Sequence, residues 1–171
     1  MNKTSLAYKS IKPIAQLISE GKLLCVDPSS GSRSSLPGFA VYENGHLLES
    51  GVIEVDPKLN RSLRLFEIAR TIREDFEEAD ALIVEYVPAV TFKGGSNLNA
   101  TSLAALHKGQ GAIIGARPFE HLVEIPAGTW RHHKPEGYIK TDEWDAIALG
   151  NCALNIAHWI LENDQKKAKG K

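Results

Sequence analysis

Apolar residues at Ile11, Ile14, Ala15 and Ile18 recur at helical spacing and stop before Gly21, so the chain opens on a helical extension over about residues 1–21. The period then changes. Residues 23–27 form a short apolar run ending in Asp-Pro, which predicts a strand that stops at Asp27, and the Ser- and Gly-rich residues 29–38 follow as a loop. Residues 39–42 and 47–55 are strand-like and flank Glu43-Asn44-Gly45; Asn and Gly tolerate positive φ, so the two segments pair as a hairpin. Leu65, Ala69, Ile72 and Phe76 share one face of a helix over residues 61–76, with arginines and acids on the other. Residues 81–87 are continuously apolar except for Glu85, the pattern of a strand covered on both faces, and Pro88 closes it. Gly94-Gly95-Ser96 leads into a second helix over about residues 98–116. A fifth strand over about residues 121–125 and a last helix over about residues 142–161, capped by Thr141, complete the pattern.

The order β–β–β–α–β–α–β–α is a three-stranded meander followed by alternation. It predicts an α/β fold with a mixed five-stranded sheet and helices on both faces. The 171 residues suit one domain, placed at residues 1–162. Residues 163–171 are charged and apolar-poor and are expected to form a basic, disordered tail. A hydrophobic fraction of 43% with 24% charged residues fits a globular protein, and no apolar run approaches the roughly 20 residues that span a bilayer, which excludes a membrane protein. The first residues carry lysines but no apolar core of a secretory signal, so a cytoplasmic location is expected. Cys25 and Cys152, the two cysteines, lie in apolar patterns without CxxC spacing and are expected to be buried and inert. A net charge of −1 does not advertise a nucleic-acid partner, but Arg131, His132, His133 and Lys134 form a basic cluster.

Four acids carry the candidate chemistry. Asp27 ends strand one and Glu85 lies late in strand four, and ligands of open α/β sheets bind beyond the carboxyl ends of strands. Each also has a bland explanation: Asp27 as a turn residue before Pro28, Glu85 as a salt-bridged glutamate. Asp142 and Asp145, three apart, share one face at the start of the last helix, where acids also complement the helix dipole. As a set they weigh more, because like charges brought together repel and are tolerated around a cation. All-oxygen carboxylate sites suit Mg²⁺ or Mn²⁺, and two such ions about 4 Å apart support in-line hydrolysis of a phosphodiester.

The sequence resembles the RuvC-type Holliday junction resolvases, a ribonuclease H-like family. The resemblance is carried, in order, by Leu23-Leu-Cys-Val-Asp27-Pro, Gly38-Phe-Ala-Val, Leu82-Ile-Val-Glu85, Leu106-His-Lys-Gly-Gln-Gly111 and Asp142-Glu-Trp-Asp145-Ala-Ile-Ala-Leu. It implies a ribonuclease H-like fold, a catalytic and metal-binding tetrad at Asp27, Glu85, Asp142 and Asp145, two Mg²⁺ ions replaceable by Mn²⁺, and a homodimer acting on branched DNA. The branch is a four-way junction, extended to three-way junctions or forks, and the setting is a bacterial or phage-infected cell. The short segment between Trp130 and Asp142 resembles compact phage members, which act on a broader range of branches.

Several further residues are DNA-binding candidates. Phe92 and Lys93 occupy the loop after strand four, where the family places junction wedges; an apolar wedge can unstack a base step, although a loop aromatic is as often packed. His107 and Lys108 on the second helix, and Arg131, His132 and Lys134 ahead of the last, could touch phosphate or form plain solvated surface. Adjacent His132 and His133 lack zinc-ligand spacing. Trp144 and Trp159 suit packing. Three other functions compete: a nuclease for RNA–DNA hybrid or unbranched DNA, a catalytically inactive DNA-binding module, and an actin-like ATPase, against which the chain length argues.

Overall fold

The computed structural model describes residues 5–28, 35–87 and 100–169. Along the chain run α1 (Leu6–Ile11), a 3₁₀ turn (Lys12–Ile14), α2 (Ala15–Glu20), β1 (Lys22–Asp27), β2 (Gly38–Glu43), β3 (His46–Val52), α3 (Arg61–Asp75), β4 (Ala81–Tyr86), α4 (Ala100–Ile114), β5 (His121–Pro126), α5 (Ala127–Trp130) and α6 (Asp142–Lys169). No described helix is long and apolar enough to cross a membrane. Pro13 sits in the 3₁₀ turn that divides the opening helical segment in two, since its missing N–H cannot continue an α-helix. The expected hairpin forms with Asn44 and Gly45 both at positive φ (51° and 77°). Pro88 and the Gly94-Gly95-Ser96 loop lie outside the described residues.

The strands form one mixed sheet in the order β3-β2-β1-β4-β5. β1 runs antiparallel to β2 and parallel to β4, and β4 runs parallel to β5. Alternate side chains of each strand enter opposite cores. Leu23, Cys25, Ala81 and Ile83 face α1, α2 and α6, whereas Leu24, Val26, Leu82 and Val84 face the side covered by α3 and the C-terminal part of α4. This two-sided covering is why β1 and β4 are apolar almost throughout. Both cysteines are buried; loss of hydration raises the Cys25 thiol far above its usual range and pushes Cys152 up to about 12, so neither is a ready nucleophile.

Two glycines seat α6 on the sheet. A Cβ on Gly38 would lie 1.8 Å from the backbone carbonyl oxygen of Asp142, and one on Gly150 would lie 2.2 Å from the Tyr42 ring. β2 and α6 therefore meet closer than any other residue permits. Tyr42, which fills the second contact, shares its hydroxyl between the Ile147 carbonyl (3.0 Å) and Asn151 Oδ1 (2.9 Å). At the helix start Thr141 acts as the expected cap, its Oγ1 accepting from the Trp144 N–H at 3.3 Å.

The far end of α6 corrects the sequence reading. Residues 163–169, expected to be disordered, continue the helix. Ion pairs one turn apart (Lys166 with Glu162, Lys167 with Asp164) and lysines in the last turn, which complement the helix dipole, explain how an apolar-poor segment stays helical.

Alanine is a better helix former than glycine by about 1 kcal/mol, yet Gly150→Ala is expected to destabilise the protein. Overpacking of this kind costs about 1–3 kcal/mol, and each kcal/mol lowers Tm by about 2–4 °C in a chain of this size. Gly38→Ala should cost at least as much, since both clashing groups are backbone. Thermal unfolding of the two variants checks this; an unchanged or raised Tm would show that the close approach is not needed.

Candidate metal centre

Asp27 extends the series Leu23, Cys25 on β1, and Glu85 extends Ala81, Ile83 on β4, so both carboxylates emerge on the face that α6 covers. The parallel register pairs Val26 with Val84, which places Asp27 and Glu85 one step further along neighbouring strands. Their side chains share a hydrogen bond. Asp142 and Asp145 arrive from the first turn of α6, which the Gly38 contact presses against the end of β2, itself paired with Asp27. The structure thus brings all four sequence-predicted acids into one electrostatic neighbourhood.

The electrostatics are those of crowded anions. Burial first, then the charges of Glu85, Asp145 and Asp142, hold the Asp27 carboxyl well above its usual range. Burial also raises Glu85, against the opposing pull of its hydrogen bond with Asp27, the Arg131 guanidinium and the Trp130 indole. Asp142 is raised by burial and by Asp145.

Two supporting side chains escape a reading of the sequence. Trp130 Nε1 donates to Glu85 Oε2 at 3.1 Å, and the Tyr138 hydroxyl makes a short hydrogen bond to Asp145 Oδ1. Tyr138 is itself pushed up to about 12, so it stays a donor. Gln110 adds a third support by donating to the Glu85 backbone carbonyl (3.1 Å) and to Glu124 Oε1 (2.9 Å). Gln110 lies within the quoted Leu106–Gly111 motif, but nothing in its spacing foretells the contact. Trp130 and Tyr138 stand 45 and 7 positions from their partners, beyond what local periodicity reports.

The donor set is all oxygen, which suits a hard divalent cation. Among the described residues, no group of three His, Cys, Asp or Glu side chains already stands in a metal-holding arrangement. Asp27 and Glu85 are hydrogen-bonded to each other, and Asp145 is engaged by Tyr138. A divalent ion held there would favour the ionised carboxylates. Asp27, Glu85, Asp142 and Asp145 fit a divalent ion in donor chemistry.

The other candidates are dispersed. Arg131 stands beside the centre, acting on Glu85 and stacking over Trp130 with 5.4 Å from guanidinium carbon to ring centroid. His132 and Lys134 lie further along the same segment, in the wall of a cavity away from the acids. Half-buried His107 and exposed Lys108 are on α4, which packs with α3 on the opposite face of the sheet. Phe92 and Lys93 lie outside the described residues. Trp144 and Trp159 pack against the α6-side core, Trp144 edge-on to Tyr138 and Trp159 edge-on to Tyr8.

A mixed five-stranded sheet in this order, with helices on both faces, is consistent with a ribonuclease H-like fold. The solved structure of Thermus thermophilus RuvC in complex with a Holliday junction substrate superposes with a TM-score of 0.51 over 83% of this chain and 94% of that one, at 13% sequence identity. A second Thermus thermophilus RuvC structure aligns over 84% of this chain and 96% of that one, at 15% identity and a TM-score of 0.49. No family model and no curated protein sequence matches the chain.

The raised carboxyl of Asp27 predicts how stability depends on pH without metal. Below the unfolded-state pKa, about 3.9 for Asp, both states hold the proton. Above it the unfolded state ionises first, so the folded state binds more protons and stability falls as pH rises through the gap between the two pKa values. Asp27→Asn, which keeps a hydrogen-bonding partner for Glu85 without the charge, should therefore raise Tm at neutral pH in chelator and flatten this slope. Thermal melts between acid and neutral pH measure it; a lower Tm for Asp27→Asn at neutral pH in chelator would contradict the crowding of charge.

Proposed function

We propose that this protein is a divalent-metal-dependent endonuclease that hydrolyses phosphodiester bonds in branched DNA, with four-way junctions among its substrates, and that it works as a homodimer. The observation that carries the proposal is the convergence of Asp27, Glu85, Asp142 and Asp145 at the carboxyl ends of β1 and β4, in a fold shared with a structure solved on a Holliday junction. Asp27 and Glu85 would hold the metal from the sheet, with Asp142 and Asp145 closing the site from α6. When bound, Mg²⁺ or Mn²⁺ supplies an activated water and neutralises charge on the scissile phosphate, most effectively as a pair of ions.

The chain's own residues supply position. The Trp130 indole fixes Glu85 Oε2, while Gln110 anchors the backbone behind it. Tyr138 orients Asp145. Arg131, the cation beside Glu85, is placed to meet a substrate phosphate that approaches the acids. A four-way junction is nearly two-fold symmetric, so two copies of one site related by a dyad cut it symmetrically, which is the reason for a homodimer. Residues 1–162 act as one nuclease unit, and the compact connection between Trp130 and Asp142 favours tolerance of three-way and forked substrates.

Purified protein with Mg²⁺ is expected to nick labelled four-way and forked DNA in preference to linear duplex or RNA–DNA hybrid. Asp27→Asn and Glu85→Gln should each lower the nicking rate by about 10³-fold or more, the scale of losing a principal electrostatic stabiliser. Trp130→Phe and Tyr138→Phe remove only orienting hydrogen bonds and should cost about 10–100-fold. Activity that survives Asp27→Asn or Glu85→Gln would remove the assigned centre, and preference for the hybrid would replace the substrate.

A further inference from the structure

Behind the carboxylate centre, residues 132–134, the turn between β2 and β3, and the middle of α6 enclose an open cavity of about 460 Å³. His132, His133, Lys134, Asn151, Asn155 and His158 supply its polar lining, with Gly45 and Leu154 beside them. The chain has 21 acids against 20 lysines and arginines, yet no carboxylate lines this cavity. We propose that it is a phosphate-binding pocket that takes a backbone phosphate of the same nucleic acid whose scissile bond lies at the carboxylate centre; the identity of that nucleic acid rests on the nuclease reading above.

The hydrogen-bonding inventory selects an anion over a cation. The Asn155 amide donates to His133 Nδ1 at 3.0 Å, which places the proton of a neutral His133 on Nε2 and leaves that ring a donor. Asn151 Oδ1 accepts from the Tyr42 hydroxyl, so the amide nitrogen is its remaining polar group. Lys134 adds an ammonium, lying 3.8 Å above the Tyr138 ring. His132 and His158 add two imidazoles, each with at least one N–H. The groups that face a ligand include N–H donors on two carboxamides, three imidazoles and an ammonium, complementary to the acceptor oxygens of a phosphate. Burial, and then the neighbouring His132, hold His133 below its usual pKa.

The pocket and the centre are joined through one segment. Trp130 donates to Glu85, residues 132–134 line the pocket, and Tyr138, under Lys134, donates to Asp145. A phosphate seated in the pocket meets residues 132–134, the stretch that runs between Trp130 and Tyr138, which orient two of the four acids. This segment therefore aligns the strand against the metal site by backbone contact, without reading its sequence.

The test uses Asn155→Ala and His158→Ala, singly and together; both side chains are exposed, so the variants should keep the wild-type Tm. Titrating the full-length protein with inorganic phosphate should produce saturable NMR shifts of the His132, His133 and His158 rings that the double variant loses. Binding of labelled four-way junction DNA in Ca²⁺, measured across salt concentrations, should weaken by about tenfold in the double variant. In Lys134→Ala the slope of log K against log salt should fall by about one, as for the loss of one cationic phosphate contact. Unweakened DNA binding by the double variant, or an unaltered slope in Lys134→Ala, overturns the backbone assignment, even where free phosphate shifts the histidines. Absence of those shifts overturns the pocket. Failure of the wild-type protein to bind DNA at all overturns the nuclease reading instead, and the phosphate titration still decides the pocket by itself.

Discussion

The close approach of α6 to β2 is the contact on which the rest of the structure depends. At Gly38 the start of the helix comes so near the strand that a single methyl would strike backbone, and at Gly150 the Tyr42 ring occupies the space of the missing side chain. A helix seated any further out would leave Asp142 and Asp145 in solvent, away from the strand-end carboxylates. Packing and chemistry are therefore one constraint here: the glycines that bring the helix in also force four negative groups together.

That crowding is unfavourable in isolation, and the structure shows how it is relieved. Asp27 and Glu85 share a hydrogen bond, Tyr138 engages Asp145, Trp130 engages Glu85, and Arg131 lies alongside. Burial and mutual repulsion hold the Asp27, Glu85 and Asp142 carboxyls above their usual range, and a bound divalent cation would relieve the same repulsion. A centre strained in this way is costly to the fold, and such costs are retained where function needs them.

Much of this was legible in the sequence, for physical reasons that can be named. The apolar runs of β1 and β4 announce strands covered on both faces, and Asn44-Gly45 announces the hairpin. The three-residue spacing of Asp142 and Asp145 places both on the first turn of α6. Glu85 is legible because a charge inside Ala81–Tyr86 demands an explanation. Trp130, Tyr138 and Gln110 were not legible as partners of the acids, because their contacts form only when α5, the segment before α6, and α4 dock against the sheet. The helical run to Lys169 was missed because composition weighs apolar content and overlooks ion pairs one turn apart. The expectation that Arg131, His132 and Lys134 act together also needed the fold, which leaves Arg131 at the centre and turns the other two into a separate cavity.

The central claim is that the four acids form one cation site. The most direct measurement is anomalous diffraction from crystals soaked in Mn²⁺ at neutral pH. The account predicts density for one or two ions between Asp27 and Glu85, within reach of Asp142 or Asp145, with metal–oxygen distances of about 2.0–2.5 Å and the Asp27–Glu85 hydrogen bond broken. A saturating soak that leaves that bond intact and no ion among the four carboxylates would contradict it.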